Sequence, residues 1–300
     1  MPGPKLVIAL SAAGLLAAQL PQNPSPMVEH TRAHARLRRV ETGGTRAKLS
    51  LGALLVLPGG ESRRTIPLVV HFHGESWLPE LSVHRLRRPA AVLSAHLGAG
   101  SAVYTAPFSD PGRFSSWLEE AAQAAGGGAK RFHPIVLAGF SAGCAAIREI
   151  LRHRQNWPLI DAIVLADGVH TGYESGSRPG PLETGALAPL VDFARQAAAG
   201  RKQMILTHSE VFPGTFASTT ETADYLLASL NLKRRAVLKW GPLGMQQTGE
   251  VKAGRFLLLG FAGNSAPDHL DHLHALEHWL RRVRSAPNGR GSAGPPAAPD

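Results

Sequence analysis

The apolar residues of this 300-residue chain fall in short unbroken runs instead of alternating with polar ones. Ile66-Pro67-Leu68-Val69-Val70-His71-Phe72-His73, Ser101-Ala102-Val103-Tyr104, Pro134-Ile135-Val136-Leu137-Ala138, Ala162-Ile163-Val164-Leu165-Ala166 and Gln203-Met204-Ile205-Leu206-Thr207 are of this kind, and residues 255–261 close the series. Strands buried on both faces look like this, because helices cover both sides of a parallel sheet. Residues 34–40 and 47–57 predict two earlier strands about a Gly43-Gly44 turn. Helical stretches lie between the runs, at 81–97, 114–126, 142–154, 187–199, 219–231 and 266–284. Two of them open with a hydroxyl followed three residues later by a carboxylate, Ser218 with Glu221 and Ser265 with Asp268, the signature of a helix start. The alternation of strand and helix predicts an α/β domain with a mainly parallel central sheet flanked by helices on both faces. Such sheets bind their ligands outside the C-terminal ends of the strands, so the chemistry belongs there.

Composition narrows the classes. With 44% hydrophobic and 18% charged residues the chain can bury a core. One cysteine excludes a disulfide scaffold and a cysteine-rich metal centre. The formal charge is +10, from 32 Lys and Arg against 22 Asp and Glu. The basic residues come in short scattered groups, such as Arg36-Leu37-Arg38-Arg39 and Arg281-Arg282-Val283-Arg284. With no sustained basic helix face and only 6% aromatics, they read as solvated surface, with no nucleic acid as partner. Lys5 followed by the apolar run Leu6 to Leu16 reads as an export signal over residues 1–18, with a linker over 19–33. The protein is then secreted or periplasmic, and no later run is long enough for a stable membrane span once the signal is removed. Residues 34–284 form the catalytic domain, and 285–300, rich in Pro, Gly, Ala and Ser, a disordered tail.

Residues 135–143 read Ile-Val-Leu-Ala-Gly-Phe-Ser-Ala-Gly, an apolar strand running into G-x-S-x-G, and a helical pattern follows from Cys144. A strand-to-helix turn this tight tolerates only small residues on either side of the serine. It thrusts the Ser141 hydroxyl off the strand end and points the N–H groups of the helix start at whatever that hydroxyl attacks. Cys144, one turn on, reads as a small core residue beneath the turn. Carboxylates at strand ends are Asp167, followed by Gly168, and Glu210, one strand later. Asp192 and Asp224 fall inside helical patterns and are poorer candidates. After the last strand come His269 and, one helical turn later, His272; His274 and His278 read as surface or packing residues. Leu270, Leu273, Leu276, Leu280 and Val283 form the stripe that faces the core. His71 and His73 form H-x-H, which a zinc site would have to complete with histidines of the C-terminal helix; the Glu75-Ser76 that follows is not the continuation a zinc hydrolase needs, so no metal and no cofactor are expected.

On the G-x-S-x-G turn, the His73-Gly74 step and the late histidine, the chain resembles the α/β-hydrolase superfamily over about residues 50–284 in element order. The resemblance implies an eight-stranded type of sheet and a serine–acid–histidine triad in that chain order. It implies Ser141 as nucleophile and His269, ahead of His272, as base. It places the oxyanion donors at the N–H of Gly74 or Glu75 and that of Ala142. For the acid, Asp167 has the cleaner local geometry and Glu210 the commoner position in the superfamily. The long turn 170–186 (with His170, Tyr173 and Arg178) and residues 211–217 should cover the site, with Trp77, Phe108, Tyr173, Phe212 and Phe216 as wall residues. The implied function is a serine hydrolase that cleaves a carboxylic ester or related acyl bond in a small molecule through an acyl-enzyme. A peptidase or acyltransferase on the same scaffold is the near alternative, and a binding protein without activity the distant one.

Overall fold

The computed structural model describes residues 34–127, 131–174 and 179–284. The expected export signal, the linker, the C-terminal tail and Arg178 lie outside the described residues. Ten strands form one sheet. They are β1 (Thr45–Lys48), β2 (Leu54–Leu57), β3 (Thr65–Phe72), β4 (Ala91–Ala95), β5 (Arg131–Phe140), β6 (Ala162–Ala166), β7 (Gln203–His208), β8 (Arg235–Trp240), β9 (Gln246–Ala253) and β10 (Phe256–Phe261). Their order is β1-β2-β4-β3-β5-β6-β7-β10-β9-β8. The six central strands, β4 to β10 in that order, run parallel. Antiparallel strands extend both edges.

The helices are α1 (Trp77–Arg85), α2 (Ala102–Thr105), α3 (Arg113–Ala124), α4 (Cys144–Arg152), α5 (Ala188–Ala198), α6 (Thr219–Ser229), α7 (Ala266–His274) and α8 (Leu276–Leu280). The central strands divide their residues between two cores. Leu68, Val70, Leu137 and Leu206 pack with residues of α3 to α6 on one face. Val69, Val136, Val164 and Ile205 pack with α1, α7 and α8 on the other. Burial on both faces is why these strands read as unbroken apolar runs. The expected fold class, a mainly parallel α/β sheet between two helical layers, is what the chain adopts.

Several expected elements differ. Residues 34–43 have no regular structure, and the Gly43-Gly44 turn leads into β1 instead of joining two strands. The single strand expected at 47–57 is broken by a helical turn at Ser50–Gly52. The helix expected over 81–97 ends at Arg85, and Ala91–Ala95 is instead β4, fully buried between β2 and β3. Pro89 stops the helix, and five small or apolar residues with a strand on either side gain more from ladder pairing than from a further turn. Residues 101–104, expected as a strand, contribute instead to the short helix α2. The β8–β9 pair was not expected; β8 is largely exposed and so lacks the apolar run that marked the others. Both predicted helix starts are present as capping boxes, Ser218 with Glu221 and Ser265 with Asp268. The last helix breaks at Ala275, and Leu270 is 41% exposed, off the expected stripe, because Asp268, Asp271 and His272 take the inward side of α7.

The segment 34–37 reaches across to α7. Arg36 pairs with the buried Asp271 and donates to the carbonyl of Pro267 (3.0 Å), His34 Nδ1 lies 2.8 Å from Asp271, and the N–H of Leu37 donates to His274 Nδ1 (3.0 Å). Among the described residues, His34, Asp268 and Asp271 are the three whose ligand atoms converge as a metal site would need, and Arg36 already supplies the cation there.

Candidate active site

The turn after β5 has the shape the sequence predicts. Ser141 sits at φ +49°, the left-handed region, where a residue with a β-carbon costs about 1–2 kcal/mol. Its neighbours leave no alternative path. A β-carbon on Gly143 would stand 2.2 Å from the carbonyl oxygen of Phe72, and one on Gly168 would stand 2.3 Å from that of Ser141. The turn is wedged between the ends of β3 and β6. Cys144 lies buried beneath it, as expected, and burial pushes its thiol up, with the Asp167 carboxylate adding to the effect.

Asp167 follows β6 at φ +46° and is 1% exposed. Its carboxylate is fully partnered. Oδ1 accepts from the N–H of Ser209 (2.8 Å) and the hydroxyl of Thr219 (2.6 Å); Oδ2 accepts from the hydroxyl of Ser209 (2.6 Å) and from Nδ1 of His269 (2.7 Å). Burial alone would raise its pKa. The electrostatic pull of the His272 and His269 rings, with the hydrogen bonds from His269 and the Ser209 hydroxyl, outweighs that and holds the carboxyl well below the usual range. Ionised Asp167 fixes the proton of His269 on Nδ1, which leaves Nε2 bare as an acceptor. The His269 ring packs on Phe140, the residue before Ser141, with centroids 4.5 Å apart. His269 Nδ1 bonds Asp167, and no hydrogen bond joins Ser141 to His269.

The alternatives are placed elsewhere. Glu210 is exposed and holds the backbone of Gly263: its N–H donates to the Gly263 carbonyl (2.9 Å), and its Oε2 accepts from the Gly263 N–H (3.4 Å). His272 is 1% exposed, its Nδ1 shares a 2.7 Å hydrogen bond with the Thr207 hydroxyl, and burial lowers its pKa. The geometry therefore brings together Asp167 and His269, and neither Glu210 nor His272 takes part in that pair. His71 is fully buried at the end of β3 with neither ring nitrogen hydrogen-bonded, and burial pushes its pKa down to about 3. Among the described residues, the one group with converging ligand atoms includes neither His71 nor His73.

In the turn after β3, the N–H of Gly74 is already used: it donates to His96 Nδ1 at 3.2 Å. The N–H groups of Glu75 and Ala142 have no acceptor among the described residues. His73 Nδ1 lies 2.8 Å from the Tyr104 hydroxyl. That hydroxyl donates its one proton to the Gly98 carbonyl (3.1 Å) and accepts from the Leu97 N–H (3.1 Å), so the proton in the His73 contact belongs to Nδ1 of the histidine. Burial lowers the pKa of His73, and the nearby His96 and His269 rings push the same way.

Of the expected walls, Phe108 and Tyr173 are buried packing residues, and Tyr173 bonds Glu221 at 3.0 Å. Trp77 packs edge-on against His274. Phe212 and Phe216 are exposed on the loop before α6, and Phe216 meets His170 edge-on at 5.0 Å. Arg148 of α4 donates to the carbonyl of His170 (2.9 Å) and braces the loop that carries Asp167. The sequence did not single out Ser209, Thr219, His96 or Tyr104. Ser209 beside Glu210 at a strand end was the one visible signal; the others depend on contacts between distant segments.

No family profile matches the chain, and no curated protein matches it by sequence. Solved structures do align. EstE1, a thermostable carboxylesterase cloned from a metagenomic library, aligns at 16% identity and a TM-score of 0.44, over 81% of this chain and 90% of its own. Thermogutta terrifontis esterase 2 aligns at 17% and 0.47, over 84% and 100%. A carbohydrate esterase from gut microbiota aligns at 9% and 0.47, over 80% and 97%. Likeness at this level carries no argument about chemistry, which has to come from the side chains.

Proposed function

We propose that the protein is an exported serine hydrolase that cleaves a carboxylic ester or a related acyl bond through an acyl-enzyme on Ser141. The observation that carries this reading is the Asp167–His269 pair (2.7 Å), held at the strand ends beside a strained serine turn. In it, His269 Nε2 takes the proton of Ser141 as its oxygen bonds to the substrate carbonyl carbon. The carbonyl electrons move to oxygen, where the N–H groups of Glu75 and Ala142 meet them. His269 then passes the proton to the departing alcohol as the ester bond breaks. Water, deprotonated by the same ring, releases the acid and restores Ser141. Asp167 fixes the tautomer and stabilises the charged imidazole without itself taking the proton.

Rapid mixing with p-nitrophenyl esters of two to eight acyl carbons tests this. The expected result is a burst of p-nitrophenol close to one equivalent per protein, followed by slower turnover. A folded sample that releases no p-nitrophenol from any ester contradicts the reading and favours a binding protein.

A further inference from the structure

His96 has no part in the reaction as described, yet it makes a contact that reaches it. It lies exposed just after β4, and its Nδ1 accepts the N–H of Gly74 at 3.2 Å. Its ring is the outer member of a column. His96 stacks on His73 (centroids 5.2 Å apart, 28° between planes), His73 stacks on Phe140 (5.8 Å, 19°), and Phe140 packs on His269 (4.5 Å, 32°). The column joins the turn after β3, the residue before Ser141, and the base. The turn itself is strained: His73 lies at φ +72° and Gly74 at φ +109°. A non-glycine residue keeps such a conformation only where its surroundings hold it. Tyr104 holds His73 from one edge, and His96 holds the next peptide through its N–H. On the far side, the Glu75 carbonyl accepts the N–H of Leu78 at 3.0 Å. The free N–H of Glu75 thus lies between two anchored peptide units.

We propose that His96 is a positioning residue for the oxyanion site: by accepting the Gly74 N–H, it fixes the peptide that aims the Glu75 N–H at the substrate oxygen. The assignment rests on the serine-hydrolase reading above. It also decides between the two donors the sequence left open. With the Gly74 N–H committed to His96, the donor is Glu75. If Gly74 were the donor, His96 would compete with the substrate oxygen, and its removal would speed the reaction.

Two substitutions separate the ring from the acceptor. His96→Phe keeps the stack and removes the acceptor; His96→Asn removes the ring and keeps an acceptor near the place of Nδ1. Kinetics on p-nitrophenyl acetate are measured beside the affinity for a trifluoromethyl ketone, whose adduct with Ser141 carries the oxyanion. For His96→Phe, kcat is expected to fall about 10- to 100-fold with KM within about twofold, the cost of a donor displaced by a fraction of an ångström. The ketone affinity should weaken by the same factor, and His96→Asn should recover most of both. Wild-type or faster turnover by His96→Phe overturns the assignment. So does an Asn variant as impaired as the Phe variant, with KM raised and ketone affinity unchanged, because that is a structural effect. If the wild-type protein neither turns over the ester nor binds the ketone, the serine-hydrolase reading falls and this assignment with it; wild-type activity with an indifferent His96→Phe removes His96 alone.

Discussion

Asp167→Asn is expected to lower kcat about 10⁴-fold with the fold intact. The size follows from which atoms surround the carboxylate. Oδ1 faces the backbone N–H of Ser209, a group that can only donate, so the amide oxygen of an asparagine has to occupy that side. The amide NH₂ is then turned toward His269 Nδ1, where Oδ2 now accepts at 2.7 Å. Two N–H groups cannot face each other. His269 responds by carrying its proton on Nε2, which leaves nothing on that side to receive the proton of Ser141. The loss belongs to kcat, because the substrate meets the same walls in both proteins. Glu210→Gln is the matched control. Among the described residues its carboxylate holds the Gly263 N–H at 3.4 Å, and the variant should stay within about twofold of wild type. Steady-state rates of the two variants, with circular dichroism to check folding, decide the point. A reversed pattern, with Glu210→Gln inactive and Asp167→Asn intact, gives the acid to the other strand end.

A steep loss of stability on mild acidification is the second expectation. His71 and His208 are buried, at 0% and 4% exposure, and burial pushes their pKa values down to about 3 and about 4. An unfolded imidazole titrates at about 6.5. The folded values lie below the unfolded one, so the unfolded chain binds these protons first. The stability carried by the neutral rings is complete above about pH 6.5 and is lost as the pH falls toward 4 and then 3. Each group costs about 1.4 kcal/mol per pH unit in that window, and two give a slope of about 3 kcal/mol per unit. His170, brought to about 4 mainly by burial but only partly enclosed, adds a smaller share of the same sign. Asp167, held well below its ordinary range, adds to the loss only at lower pH, where an unfolded carboxylate begins to take up protons. From pH 6 to pH 4.5 the two buried rings alone remove about 4 kcal/mol, a large part of the roughly 5–15 kcal/mol that holds a domain together. Urea denaturation at pH 7, 6, 5 and 4.5 measures the slope. His71→Leu removes a ring with no hydrogen-bond partner; it should flatten the slope by about half and leave stability at pH 7 equal or higher. An unfolding midpoint that does not move between pH 7 and pH 5 would contradict the burial of these rings.

How far the sequence could be read depended on where each residue found its partners. The strands at 66–72, 135–140, 162–166, 203–207 and 256–261 carried their own signal, since a strand covered on both faces must be apolar throughout. The serine turn was legible because its constraint is local: Gly139 and Gly143 flank Ser141 within one turn of chain. The two capping boxes were legible for the same reason. The strand Ala91–Ala95 was not, because alanine and leucine suit a helix equally well and only its neighbours β2 and β3 settle the matter. The edge pair β8–β9 was hidden by its exposure. Within the site, Asp167 and Glu210 were separable only by long-range contacts. Ser209, 42 residues from Asp167, and Thr219, 52 residues away, complete one carboxylate and not the other. The tie from His96 to Gly74 likewise spans 22 residues, from the end of β4 to the end of β3, with no motif to announce it.

The central claim is that the Ser141 hydroxyl is the nucleophile. Treating the native protein with a fluorophosphonate and mapping the product by mass spectrometry tests it most directly. The expected result is one adduct per chain, located on Ser141, with ester turnover lost in step with labelling and no adduct on Ser141→Ala. A protein that hydrolyses esters while remaining unlabelled, or a Ser141→Ala variant that still takes up the probe and turns over substrate, would show that the chemistry lies elsewhere.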